Sequence, residues 1–388
     1  MAESPPRLVS RATHIAIVLS IAAVAGLVVL AAALIGDRRS GDRFDLVRWE
    51  RDMLPGKWLY LLGAGLRDDP PHDEAIRRYF AAPVESEERR RLESTVEAAL
   101  SGRIDAVLRE RGLHGAVPLP GSVFPPVNME LTEAPRVLVL SPRAVIQRAS
   151  TELLRPDLTT DNAVAIERRV EGEEPDRSAL VVGSGGVATY PAIIGNRTSY
   201  ANMAATAAHE WVHHYLAFAP LGMSYFSSRD STAINETVAD IVGDEVGAEV
   251  VDRWGDPTRP SPTLTATPTV TPTPRPRSGS DPNAVLRDLR REVDALLAAG
   301  RIDEAEARME QVRLELWDTG YRIRRLNQAY FAWYGTYTAR PDGIDPLGGQ
   351  LREIRQRSAS LAAFVETVRV VTSRQDVAAI LERVRGGG

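Results

Sequence analysis

Apolar residues recur at helical spacing over Asp45 to Leu66 and Asp73 to Phe80, and Glu85 to Arg111 continues as a long, charged amphipathic helix. The pattern then changes period. PRVLVLSP, Pro135 to Pro142, is a β-branched run bounded by prolines and predicts a strand. SALVVGSGGVATYPAII, Ser178 to Ile194, predicts two further strand segments around a turn at Gly183 to Gly186. Helical spacing returns near Ser199 and must end by Pro220. Periodicity disappears in PTRPSPTLTATPTVTPTPRPR, Pro257 to Arg277. It resumes at Asp281, a good N-cap with Pro282 at the first helical position. Gly300 and Gly320 punctuate helices over Arg301 to Trp317 and Tyr321 to Tyr337, and Ser373 with Asp376 resembles a capping box opening a last helix to Val384. A few short strands among many helices predict an α+β fold with a small β-sheet and a mainly helical remainder.

One stretch is apolar on every side. IAIVLSIAAVAGLVVLAAALI, Ile15 to Ile35, holds no charge and one polar side chain, Ser20. As a helix it would span about 31 Å, enough to cross a bilayer. It exceeds the roughly 7 to 15 apolar residues of a signal peptide. The expectation is one transmembrane helix in contact with the lipid bilayer through residues 15–35. Arg7 and Arg11 before the span and Arg38, Arg39 and Arg43 after it weakly favour a cytoplasmic C-terminal part. The Pro/Thr tract suits an extracellular stalk and turns the expectation towards an extracytoplasmic one.

Composition narrows the chemistry. A net charge of -5 spread over both signs leaves no basic footprint, so no nucleic-acid partner is expected. The absence of cysteine removes disulfides, thiolate metal sites and thiol nucleophiles together, so any metal must sit on histidine and carboxylate. The glycine-rich GSGG lacks both nucleotide-binding glycine patterns and is assigned to a turn.

Within the predicted helix, TAAHEWVHHYLAF places His209, Glu210 and His213 in the order H-E-x-x-H. Residues four apart differ by about 40° around a helix, so His209 and His213 project from one face and can share one ion. Glu210 adjoins that face, where a carboxylate can take a proton from water beside a metal. His214, about 100° from His213, cannot join the pair and is given a structural or surface role. Leu216 and Ala219 stand where a metzincin needs glycine and histidine, which excludes that class. Downstream, INETVADIVGDEVG puts Glu236 and Asp240 four apart on a second helix. Glu236 suits a third ligand, and Asp240 suits a partner for the other ring N–H of a ligand histidine.

HEWVH followed by NETVAD, with Glu236 lying 23 residues after His213, resembles the gluzincin, thermolysin-like zinc metallopeptidases. The resemblance covers about residues 185–246. It implies zinc on His209, His213 and Glu236, Glu210 as general base, Asp240 behind a ligand, and a peptide or protein substrate bound along a strand at Gly185 to Ile194. It also implies a zincin-like fold for the core. The chain departs from the family in having no histidine after His214 to stabilise the oxyanion, so a tyrosine is expected to serve: Tyr225, Tyr330, Tyr334 or Tyr337. The G-x-M-E-N signature of the large aminopeptidases is absent. The resulting organisation is a tail over 1–14, an anchor over 15–35, and a helical lead-in with the zincin-like core over 43–255. A Pro/Thr-rich disordered insertion over 256–280 and a helical part over 281–388 that completes the catalytic domain follow. The rival expectations are a catalytically inactive zinc-binding protein serving as a membrane-anchored binding module, and a scaffold without metal.

Overall fold

Residues 41–46, 48, 49, 53, 72–114, 121–259, 281–335 and 345–386 are described by a computed structural model. Helices α1 (His72–Ala81) and α2 (Glu87–Glu110) come first. Strands β1 (Met129–Thr132), β2 (Arg136–Pro142) and β3 (Ser150–Leu154) precede helix α3 (Thr160–Glu173). Strands β4 (Arg177–Gly183), β5 (Gly186–Val187) and β6 (Ala192–Gly195) lead into helix α4 (Tyr200–Leu216), the short α5 (Pro220–Met223) and the long α6 (Arg229–Trp254). The remainder is helical: α7 (Pro282–Ala298), α8 (Ile302–Asp318), α9 (Gln328–Tyr334), α10 (Leu347–Arg357), α11 (Leu361–Val368) and α12 (Arg374–Gly386). The chain is thus α+β, mainly helical with small sheets.

Among the described residues, six strands form two sheets. In one, β1 runs parallel to β6 and β5 pairs antiparallel on the far side of β6, giving the order β1-β6-β5. In the other, β2 is central and antiparallel to both β3 and β4. The expected strand segments either side of Gly183 to Gly186 are present, but they belong to different sheets. The single strand expected over Gly185 to Ile194 is two short strands, because the chain reverses over residues 188–191 and β5 pairs antiparallel with β6.

The main core joins α1, α2, β1, β6, α4, α6 and the last three helices around Tyr79, Tyr200, Trp211 and Phe364. Residues Leu347 to Leu381 enter the same core as the two H-E-x-x-H and N-E-x-x-x-D helices. The second sheet is covered on one face by α3 and on the other by Ala329 of α9 with Tyr330 and Trp333 packed beside it, while α7 and α8 form their own apolar seam. Several boundaries follow local chemistry. Ser199 accepts from the Asn202 N–H at 3.2 Å and opens α4. Ser373 and Asp376 cap each other's N–H groups at the start of α12. Of the helix expected over Tyr321 to Tyr337, the described residues 321–335 are helical only in α9, because Asn327 accepts from the Tyr330 N–H and starts the helix there.

The single-pass membrane placement is corrected. No helix among the described residues is long and apolar enough to cross a membrane. The two longest, α2 and α6, carry charged side chains along their length. Residues 15–35 themselves, the Asp45 to Leu66 helix beyond the few positions above, residues 260–280 of the Pro/Thr tract and Tyr337 lie outside the described residues.

Candidate metal centre

Helices α4 and α6 lie closer together than ordinary side chains permit. A Cβ on Gly247 would stand 2.7 Å from the Ala205 Cα, and one on Gly243 would stand 2.8 Å from the Ala205 carbonyl oxygen and 3.0 Å from the His209 Cβ. Two glycines one turn apart therefore dock α6 on the alanine-lined side of α4. This approach carries Glu236 and Asp240 to His209.

The donors converge. The Nε2 atoms of His209 and His213 are 3.0 Å apart, and Glu236 Oε2 lies 3.5 Å from the first and 3.8 Å from the second. Donors held about 2.0–2.1 Å from a tetrahedral ion are separated by about 3.3 Å, so the three spacings fit one ion of that size. The other ring nitrogens are already engaged. His209 Nδ1 is 3.0 Å from Asp240 Oδ1, and His213 Nδ1 donates to Asn235 Oδ1 at 2.8 Å. Asn235 is itself oriented by the Leu221 carbonyl, which accepts from its Nδ2 at 3.4 Å. With both Nδ1 positions occupied, each Nε2 presents a lone pair to the same point beside a carboxylate. His209, His213 and Glu236 thus form a group able to hold a metal ion.

The charge states follow from this crowding. Burial opposes the Glu236 carboxylate, but the His213 charge and a hydrogen bond from His209 hold its pKa down at about 2. Burial also disfavours a charge on His209, yet hydrogen bonds to Asp240 and Glu236 raise its basicity well above the usual histidine value. Burial lowers the His213 pKa. The Glu210 carboxyl is buried and makes no hydrogen bond to Asp240 or Glu236; burial, reinforced by those two carboxylates and opposed by His209, raises its pKa to about 7. Gly186 of β5 sits directly on it, since a Cβ there would stand 2.6 Å from Glu210 Oε1.

The expected site residues fall into place unevenly. His209, His213 and Glu236 meet, Asp240 contacts His209, and Glu210 lies beside them. His214 stays out: its ring packs edge-on to Tyr190 at 5.4 Å, and burial with the neighbouring His213 charge lowers its pKa to about 4. Tyr225 reaches the site but donates its hydroxyl proton to Glu236 Oε1. Tyr330 packs between the α7–α8 seam and the second sheet, against Tyr334 at 4.5 Å between ring centres. Asn235 was not anticipated, although it adjoins Glu236 in sequence, and a polar residue next to an expected ligand was the available signal. Gly186 lies in the stretch expected to bind substrate.

The centre opens into a cleft of about 2260 Å³ bounded by β5, the loop between α4 and α6, the β2–β3 loop and α9. Small-molecule sites are commonly about 300–1,000 Å³, so this one has room for an extended chain. Apolar side chains rim it: Phe218 is 60% exposed, lies 5.7 Å from Phe124 between ring centres, and Phe226 is 95% exposed. Comparison with family models, with curated proteins and with solved structures finds no match for this chain.

Proposed function

We propose that the chain is a zinc-dependent peptidase of the gluzincin type with a zincin-like core, holding the ion on His209, His213 and Glu236. The observation that carries this reading is the meeting of two imidazole Nε2 atoms and a buried carboxylate, each tied from behind, next to a carboxyl that bears none of those ties. Bound there, zinc supplies a Lewis acid that polarises a carbonyl and makes water acidic near neutral pH.

The chain's own residues supply the rest. β5 is the edge strand of its sheet, and a peptide adding to that edge lies beside Glu210. Glu210 takes a proton from water as the water oxygen bonds to the carbonyl carbon. It returns that proton to the amine nitrogen as the C–N bond breaks, which leaves a carboxylic acid and an amine. A pKa near 7 suits both transfers, and the charge of a bound dication acts in the opposite direction to burial. Asp240 and Asn235 keep the two imidazoles in the ligating tautomer.

Metal analysis of the purified chain, combined with peptide-library cleavage with and without chelator, tests the reading. One zinc per chain and chelator-sensitive cleavage support it. Zinc without cleavage of any peptide favours an inactive zinc-binding protein instead.

A further inference from the structure

The lining of the cleft includes the β2–β3 loop and α9, and Arg148 stands in that loop. Its guanidinium lies 5.9 Å from the centre of the Trp333 ring, and its charge acts on the Tyr225 hydroxyl beside Glu236. Arg290 and Arg374, which also line the cleft, are neutralised by Asp294 at 2.8 Å and by Asp230 and Asp345 at 2.6 Å. Arg229 is exposed at the rim. Arg148 is half-buried and has no carboxylate within ion-pair distance among the described residues. A partly desolvated cation set against an aromatic ring, with no carboxylate partner among the described residues, favours an anionic oxygen nearby.

The tyrosine expected to stabilise the substrate oxygen has its proton committed elsewhere. A phenol has one O–H to donate, and that of Tyr225 goes to Glu236. A guanidinium has five N–H donors and keeps its charge at any working pH. We propose that Arg148 supplies the positive charge that binds the substrate oxygen as the scissile carbonyl carbon becomes tetrahedral. This role rests on the peptidase reading above. Trp333 is then a positioning residue that holds the guanidinium plane in the cleft, and Tyr225 holds Glu236.

The test uses the full, zinc-loaded chain with Arg148→Met and Arg148→Lys. Zinc content should be unchanged in both. Removing one oxyanion donor costs about 10²–10³ in kcat, so Arg148→Met should fall by that factor with KM nearly constant, equally for peptides with free and with amidated C-termini. Arg148→Lys should recover part of the loss. Calorimetric affinity for a peptide phosphinate, which carries a tetrahedral oxyanion, should fall in parallel with kcat. Unchanged kcat and phosphinate affinity in Arg148→Met overturn the role. So does a loss confined to KM for peptides with free C-termini, which would make Arg148 a terminal-carboxylate reader. An active wild type with an unaffected variant rejects Arg148 alone, whereas a zinc-loaded wild type that cleaves nothing rejects the peptidase reading and this role with it.

Discussion

Helices α6 and α7 are built on opposite plans. Helix α7 buries Leu286, Leu289, Val293 and Leu297, a single stripe that seals it against α8, and its remaining faces carry ion pairs such as Arg290–Asp294. Helix α6 is buried on most of its circumference, and the buried set includes Ser231, Thr232, Asn235, Glu236 and Thr237. Burying polar groups is unfavourable unless each finds a partner. In α7 the apolar pattern accounts for the helix, whereas in α6 it does not: of the polar residues left over, Asn235 and Glu236 meet His209, His213 and the Tyr225 hydroxyl, and Thr232 donates to the Tyr225 carbonyl. A helix whose buried face is partly polar is where the chemistry of this chain sits.

The contrast can be broken at several points. Glu210→Gln should keep its zinc and lower kcat by about 10²–10⁴, the usual worth of a positioned general base. Metal analysis beside steady-state kinetics separates the two quantities, and loss of zinc with retained turnover would contradict the assignment. Asp240→Ala should keep the fold and weaken zinc affinity by about 10- to 100-fold, since it removes the partner of His209 Nδ1 and no ligand. Competition with a chromogenic chelator reads that factor.

Gly243→Ala sharpens the packing argument. Alanine is the better helix former by about 1 kcal/mol, yet here its methyl meets a carbonyl oxygen and the His209 Cβ. Overpacking should prevail at about 1–3 kcal/mol, lowering the urea midpoint and displacing His209 enough to weaken zinc binding. A more stable variant would show that the helices can separate freely. Leu289→Ala is the counterpart in the other region. It should cost about 2–5 kcal/mol in stability while the folded protein binds zinc with wild-type affinity. A parallel loss of zinc affinity would mean that the α7–α8 seam and the metal centre are one cooperative unit.

The same contrast explains what was legible in the sequence. Local signals located α4 from Ser199, the strand β2 from its prolines, and α7 from Asp281 and Pro282. The spacing of His209, His213, Glu236 and Asp240 was legible because helical geometry converts spacing into direction. Strand β3 escaped notice because STELL is short and mostly solvent-facing, and β1 because its parallel partner β6 lies more than fifty residues away. Arg148 was illegible for a stronger reason. It sits in the loop between β2 and β3, and no local pattern announces that the fold brings it to Tyr225, more than seventy residues further along the chain. The apolar run at 15–35 has an unambiguous local pattern, but its expected membrane placement finds no counterpart among the described helices.

The account depends most on Glu236, which separates a three-donor centre from a bare pair of histidines. The direct measurement is zinc content of purified, folded Glu236→Ala at low free metal, compared with wild type. Loss of the carboxylate that lies 3.5 Å from His209 Nε2 and 3.8 Å from His213 Nε2 should leave two donors and a severe fall in occupancy, larger than that of Asp240→Ala. Retention of one zinc per chain by the folded variant would place the third ligand elsewhere and contradict the gluzincin reading.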